Sequence, residues 1–279
     1  MLASECVWCY EHPMSILGQV QFKFGSHWAD ELLEGEPWEI SNGFRVSCMP
    51  TGVAGADGSL TGGIVVATDP DTREAGYDLG HALSSNTIRA PDLSVGNVPK
   101  DTLGWAPGAP PLALEYASVG QDENSLLAKI VDFLRAGTKH VWVVRMVGPR
   151  RVEGYEPNRA MRIAGPGDLP YAPGILRNPV RVEALYDRDA AIETAFRNLL
   201  QRRGYESLDE VIEKGAEKEL DRVLGELRDE LRRNLEAGGI CLSGEQGRAI
   251  EVCRDFLLLT RWIRRAALAS SADEVFLEG

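Results

Sequence analysis

The pattern of apolar and polar residues changes once along the chain, near residue 187. Before this point, short β-branched and aromatic runs alternate with glycine and proline, which is typical of strands separated by turns. These runs predict strands at 62–68, 90–96, 112–117, 140–147, 151–156 and 170–182. After this point proline disappears, and apolar residues recur at the three- and four-residue steps of amphipathic helices.

One helix interrupts the strand-rich part, over residues 124–136. Its apolar residues Leu126, Ile130 and Phe133 share one face, and Gly137 is a helix stop. The run KHVWVVRMV follows at once, and so continuous an apolar run is typical of a buried central strand. The order of strands and helix predicts a mixed α/β sheet with flanking helices, one of them a crossover.

The C-terminal part predicts a helical appendage. Helices are expected at 190–203, from the capping box Ser207–Glu210 to the glycines at 238 and 239, from Ser243, at 256–269, and in a last turn from Ser271. The longest of these helices carries a leucine-rich seam. Such a seam either pairs two chains or folds back on its own neighbours, and the sequence leaves both readings open. We expect two domains, residues 1–187 and 188–279.

The amino-acid composition limits the classes of protein to which this chain can belong. With 279 residues, 44% of them hydrophobic and 26% charged, the chain is typical of a soluble globular protein. No apolar run approaches the roughly 20 residues that span a bilayer, and no signal peptide is evident, so we expect a cytoplasmic protein. Five cysteines, an odd number, favour free thiols over a disulfide framework.

The net charge of −12 argues against a broad basic surface for nucleic acid. It leaves open an enzyme that contacts nucleic acid briefly through a divalent metal. The densest positive stretch near the predicted core contains Arg145, Arg150, Arg151 and Arg159. These side chains either contact phosphates or form a solvated rim.

Several motifs give only weak indications. Cys6, Cys9 and His12 have the spacing of half a zinc site, but no second ligand pair follows, which favours a structural reading. Ser26 and His27 are adjacent without a nucleophile elbow around them, so a triad hydrolase is disfavoured. No phosphate-binding glycine motif occurs, and nucleotide binding has no support.

Two acidic residues stand where charge is costly. Asp92 opens the predicted strand DLSVG, and Glu115 lies within PPLALEYAS. A carboxylate on a buried strand needs a cation, and a divalent metal shared by both residues could place a water for attack on a phosphodiester. Ion pairs with arginine or lysine at strand ends are the alternative.

Three stretches of the chain resemble a known family. RAPDLSVGNVP, then PPLALEYASVGQDENSLLAKIVDFLRAGTKHVWVVRMVGPRRVEGYEPNR, then LPYAPGILRNPVRVEALY are similar to the Uma-two family, a branch of the PD-(D/E)XK restriction-endonuclease-like superfamily. The resemblance covers about residues 36–187. It implies a restriction-endonuclease-like α/β fold and an endonuclease that hydrolyses phosphodiester bonds, with DNA as substrate and Mg²⁺ or Mn²⁺ as cofactor.

The resemblance also implies the site residues. Asp92 matches the Asp of the PD motif and Glu115 the next acidic motif, both as metal ligands. Ala117 stands where the wider superfamily has its lysine, and Lys129 on the following helix matches the position that lysine takes in this family. Glu39, in EPWEISNG, matches a further acidic member. We expect Lys129 to orient or polarise the attacking water.

One segment departs from the family pattern. The family has an amphipathic helix over residues 51–75, whereas this chain has GSLTGGIVVATDPDTRE with adjacent glycines. This departure, the acidic charge and the seam also suit a catalytically inactive nuclease-fold module for interaction or oligomerisation. A hydrolase of another phosphate ester would use the same residues. We expect a homodimer, which would place two sites for two strands.

Overall fold

The computed structural model describes residues 24–48, 53–101, 103–120 and 122–277, so the candidate zinc ligands Cys6, Cys9 and His12 lie outside the described residues. The chain forms two compact units, one up to Gly204 and the other from Tyr205. The mixed α/β fold with C-terminal helices that the sequence predicts is confirmed, with two sheets in place of one.

The first unit contains both sheets. The five-stranded sheet, here sheet A, has the order β2-β1-β5-β4-β7, and the six-stranded sheet B has the order β11-β10-β9-β8-β6-β3. The strands are β1 (Trp38–Ser41), β2 (Phe44–Ser47), β3 (Ala75–Tyr77), β4 (His81–Ser84), β5 (Thr87–Arg89), β6 (Leu93–Val95), β7 (Ala106–Pro107), β8 (Leu112–Ala117), β9 (His140–Arg145), β10 (Arg151–Tyr155) and β11 (Arg162–Ala164). Each sheet contains one parallel pair among antiparallel ones.

The predicted crossover is confirmed. Strands β8 and β9 pair in parallel, and α2 (Glu123–Ala136) connects them. Asp122 caps the start of α2 by accepting a hydrogen bond from the backbone of Asn124, and Gly137 ends it at a φ of 107° that favours glycine. The apolar face of α2 packs on sheet B, as its spacing predicts.

The prediction of a strand at 62–68 is wrong. This segment belongs to α1 (Val53–Thr68), so the chain does have a helix where the sequence suggested that the family's helix was missing. Val65 and Val66 are buried in the core beneath sheet B. Three glycines give this helix its close packing, since a Cβ at Gly58 or Gly62 would collide with Tyr116, and one at Gly63 with Tyr77.

Gly62→Ala is expected to destabilise the protein by about 1–3 kcal/mol, because the new Cβ would lie 2.0 Å from the Tyr116 hydroxyl. Gly215→Ala is the matched control, since nothing lies within 4 Å of its Cβ position in a helix interior. This change should stabilise by about 0.5–1 kcal/mol. Urea unfolding of both variants checks the pair, and equal effects would contradict the packing account.

The predicted strand at 170–182 is also wrong. Among the described residues, this segment contains no strand, and a short 3₁₀ helix begins at its end (Val182–Leu185). Its apolar residues still reach the core, where Ala172, Leu176 and Val180 are buried. Apolar residues recur in this segment because its irregular backbone packs their side chains beneath sheet B.

The side chains of β8 point alternately to the two faces of sheet B. Leu112, Leu114 and Tyr116 face the core that contains α1, whereas Ala113 and Ala117 face the core that contains α2. Glu115 shares the parity of the second set and contacts α2. Helix α2 also contacts β1, β4 and β5, so it lies between the two sheets.

The other helix of the first unit is α3 (Arg188–Arg202), which packs on α1. The compact units therefore divide after α3, at Gly204, and not at residue 187 where the sequence pattern changes. The change in pattern marks the start of a helix that completes the first unit. No described helix is long and apolar enough to cross a membrane.

The second unit contains α4 (Leu208–Ala237), α5 (Gly244–Val252), α6 (Phe256–Ala266) and α7 (Ala272–Phe276). The predicted caps are present where Ser207 accepts from the Glu210 backbone and where Ser243 and Gln246 form a capping box. In the second half of α4, Leu224, Leu231 and Leu235 are buried in a core shared with α6. That half of the seam folds back on its own neighbours.

Candidate active site

The candidate site lies beside α2, between sheets A and B. Asp92 directly precedes β6, and Glu115 lies on β8. These strands pair antiparallel, with Leu93 opposite Leu114, so the two acidic residues are on neighbouring strands as predicted. Asp92 accepts a hydrogen bond from the backbone N–H of Tyr116, which fixes its carboxylate next to the strand that carries Glu115.

Lys129 on α2 joins the acidic residues of the two sheets. Its Nζ lies 2.9 Å from Glu115 Oε1 and donates a hydrogen bond of 3.1 Å to Oε2. The same Nζ lies 3.3 Å from Oε1 of Glu39, which is on β1 of sheet A. The structure thus brings Lys129 together with Glu115 and Glu39, three residues that are far apart in the sequence.

A buried arginine holds Glu39 from the other side. Arg89, at the end of β5, is 2% exposed and lies 2.9 Å from Glu39 and 2.8 Å from Asp132 on α2. The backbone N–H of Ala90 also donates to Glu39. Ser41 and Asn42 donate to Asp132. The carboxylates of Glu39 and Asp132 therefore each accept hydrogen bonds from several donors of the protein.

Sequence reasoning missed Arg89 and Asp132. Both carried a signal: Arg89 stands three residues before Asp92 in RAPD, and Asp132 stands one helical turn after Lys129. Arg89 lies on a strand and Asp132 on a helix, and spacing in the sequence does not show that these two elements pack together. Their ion pair is therefore seen only in the fold.

The charges of this cluster do not balance. Glu39, Asp92, Glu115 and Asp132 supply four carboxylates, and Lys129 and Arg89 supply two cations. Arg89 pairs with Glu39 and Asp132, and Lys129 pairs with Glu115 and Glu39. With all four carboxylates ionised, the cluster as a whole has an excess of two negative charges in a poorly solvated place, and one divalent cation would neutralise it.

The pKa values separate Asp92 and Glu115 from Glu39. Burial raises the pKa of Glu115 to about 8, against the effect of Lys129, and the negative charge of Asp92 adds to the rise. Burial also raises the pKa of Asp92. It opposes ionisation of Glu39 as well, but Lys129 and Arg89 hold the pKa of that carboxyl below its usual value.

Lys129 stays protonated. Burial favours its neutral amine, but the surrounding carboxylates outweigh burial and hold its pKa above the ordinary lysine value, with Glu115 contributing most. An ammonium with a raised pKa donates hydrogen bonds and cannot accept a proton near neutral pH. Lys129 is therefore a donor and an electrostatic group, and not a general base.

The buried Glu115 makes stability depend on pH in the metal-free protein. Because its pKa rises from 4.5 to about 8 on folding, its favourable contribution is complete below 4.5 and is lost as the pH rises through 8. We expect Glu115→Gln to gain stability relative to the natural protein between pH 5 and 9, on the order of 3 kcal/mol. Urea unfolding in EDTA across this range measures the difference, and a constant difference would contradict the assigned burial.

A divalent metal fits the residues present. Glu115 Oε1 is buried and accepts no hydrogen bond, although Lys129 Nζ is nearby, so an acceptor is left over. Among the described residues, no group of three or more His, Cys, Asp or Glu side chains could hold a metal. Two carboxylates with waters and substrate oxygens are the usual ligand set of Mg²⁺, which rarely has an all-protein cage.

The predicted basic stretch is largely paired. Arg145 binds Glu123 and Glu153, Arg151 binds Glu153, and Arg159 binds a glutamate three positions earlier. Arg150 lies 5.4 Å from the centre of the Tyr186 ring. Three of the four arginines therefore already have carboxylate partners, which leaves Arg150 as the group most available to a phosphate.

Fold and site together define a mixed α/β protein with a buried carboxylate–lysine cluster between two sheets. No family model and no curated protein matches the chain, so the resemblance to the Uma-two family stays a prediction. One solved structure that it resembles is a candidate nuclease of the DUF820 family from Anabaena variabilis ATCC 29413. The likeness has a TM-score of 0.48 and 21% identity over 58% of this chain and 95% of that chain.

Proposed function

We propose that this protein is a divalent-metal-dependent endonuclease that hydrolyses phosphodiester bonds in DNA. The observation that carries the proposal is the pair of carboxyl groups with raised pKa values, Asp92 and Glu115, beside the protonated Lys129. The family resemblance of the surrounding stretches supports the same reading. Mg²⁺ or Mn²⁺ is the expected ion, because both prefer carboxylate and water oxygens.

Asp92 and Glu115 would hold the metal, since each has a raised pKa and no arginine partner among the described residues. A bound divalent ion supplies Lewis-acid stabilisation of a phosphoryl oxygen and lowers the pKa of a coordinated water. The hydrogen bond from the Tyr116 backbone orients Asp92 toward this role. Loss of either carboxylate removes half of the protein ligands.

Lys129 and Glu39 act beside the metal ligands. Lys129 donates hydrogen bonds, so it can orient the attacking water and stabilise negative charge on the phosphate. Glu39 is engaged by Arg89 and the Ala90 N–H, and we assign it as a positioning residue for Lys129. Its pKa is lowered, whereas the pKa of Glu115 is raised, which distinguishes the two glutamates.

Lys129→Met is expected to lower metal-dependent cleavage by about 10²-fold, because it removes the donor but keeps most of the side-chain volume. Mn²⁺ binding should persist or tighten, since a neighbouring positive charge is lost. Lys139→Met, an exposed lysine of the same unit, is the control. Calorimetry with Mn²⁺ and a cleavage assay separate the two effects, and full activity in Lys129→Met would contradict the assigned role.

The choice of DNA is tested by a substrate panel. Supercoiled plasmid, single-stranded DNA, RNA and bis(p-nitrophenyl) phosphate are incubated at low salt with Mn²⁺, Mg²⁺ or EDTA. Because salt weakens Lys and Arg contacts to phosphate, we expect DNA cleavage that falls with added salt. Cleavage of only the small ester would favour another phosphate-ester hydrolase. An inert protein that binds no Mn²⁺ would favour the interaction module.

A further inference from the structure

Helix α3 has two different faces. Ala191, Thr194, Ala195 and Asn198 are buried on the side that packs on the first unit. Ile192, Phe196 and Leu199 are 52%, 43% and 47% exposed. Their spacing of four and three residues places them on one face of the helix. These three large apolar side chains form one row, which makes this face of α3 a candidate interaction surface.

Helix α1 packs on the buried side of α3. Arg188 pairs with Asp57 near one end of the two helices, and Asn198 donates to the backbone of Val65 further along, so the helices run in the same direction. Leu60 on α1 is also 47% exposed. The outer surface of both helices is therefore available to a partner.

Charges at the two ends of the α3 face are opposite. Asp189 lies in the first turn and Arg203 at the C-cap, and both are exposed. Among the described residues, neither side chain forms an ion pair. Each lies seven positions from Phe196 in the sequence, on opposite sides of it. A second α3 placed antiparallel, with its Phe196 against the first, would bring Asp189 of each copy to Arg203 of the other.

We propose that the exposed face of α3, with Ile192, Phe196 and Leu199 at its centre, is the contact between two copies of this chain in a two-fold antiparallel arrangement. Self-complementary charge is the property that a two-fold interface needs, because the same surface meets itself. The partner is therefore a second copy, since the acidic and basic ends of this one helix complement each other.

The position of this surface separates it from the candidate active site. Helix α3 packs on α1, on the face of sheet B opposite to the side chain of Glu115. Two copies joined through α3 would carry their sites on outer faces. Neither copy would complete the site of the other, so loss of the dimer should leave cleavage per chain unchanged.

Sedimentation velocity of the full chain tests the proposal. The natural protein is expected at twice its 30.5 kDa chain mass, and Phe196→Asp at the single mass. Ile163→Asp changes another exposed apolar residue, 61% exposed on β11, and should remain dimeric. Thermal unfolding shows that each variant is folded.

Charge exchange tests the pairing itself. Asp189→Arg or Arg203→Asp alone should weaken dimerisation by about tenfold or more, since each places two like-charge pairs in the interface. The double variant should return to within about threefold of the natural protein, because the exchanged charges pair again. A monomeric natural protein, a dimer that survives Phe196→Asp, or a double variant no tighter than the singles would overturn the proposal.

Discussion

Glu115→Ala is expected to weaken Mn²⁺ binding at pH 8 by at least about 10²-fold and to lower metal-dependent cleavage by at least about 10³-fold. The variant removes the carboxyl group whose pKa is raised to about 8, together with the spare buried acceptor. It also leaves Asp92 as the single unpaired carboxylate of the cluster. Isothermal titration calorimetry measures the binding, and an oligonucleotide assay measures the cleavage.

Two controls make this result specific. Glu34→Ala removes an exposed carboxylate of the same unit and should change neither quantity. Glu115→Gln keeps the shape and should lose binding to a similar extent, because an amide is a poor substitute for a charged ligand. Retention of natural Mn²⁺ affinity in Glu115→Ala would contradict the assignment, whatever its effect on cleavage.

Arg89→Met is expected to destabilise the protein by about 3–5 kcal/mol. Arg89 is 2% exposed and pairs with both Glu39 and Asp132, so the variant removes the cation that these two buried carboxylates share. Arg89→Lys keeps the charge but not the two-sided fork, and should lose about 1–3 kcal/mol. Urea unfolding at pH 7 measures both.

The surface pair between Arg177 and Asp71 gives the matched control. Its atoms lie 2.8 Å apart, but both side chains are about half exposed. Arg177→Met should therefore lose about 0–1 kcal/mol, because water screens and solvates the charges. Equal losses for Arg89→Met and Arg177→Met would show that the buried network does not hold the two sheets and α2 together.

Long local patterns could be predicted from the sequence. Strand β8 begins and ends where its apolar run predicts, and α2 has the expected stop at Gly137. Helix α1 could not be predicted, because its apolar residues do not follow a helical period and it contains three closely packed glycines. Valine-rich sequence of this kind is consistent with a buried strand until the tertiary contacts are known.

Only part of the candidate site could be predicted from the sequence. Asp92 and Glu115 stand out as carboxylates within apolar strands, and Lys129 came from a family resemblance and not from spacing. Arg89 and Asp132 are 43 positions apart, and only the packing of α2 against sheet A brings them together. A charge that stabilises another charge is invisible until both elements are placed.

The most direct test of the central claim is the nicking of supercoiled DNA at low salt by the natural protein and by Asp92→Ala, each with Mn²⁺ and with EDTA. We predict nicking by the natural protein that EDTA abolishes and Mn²⁺ restores, and none above background by Asp92→Ala. Equal nicking by both proteins, or nicking that survives EDTA, would contradict a metal-dependent site at Asp92 and Glu115.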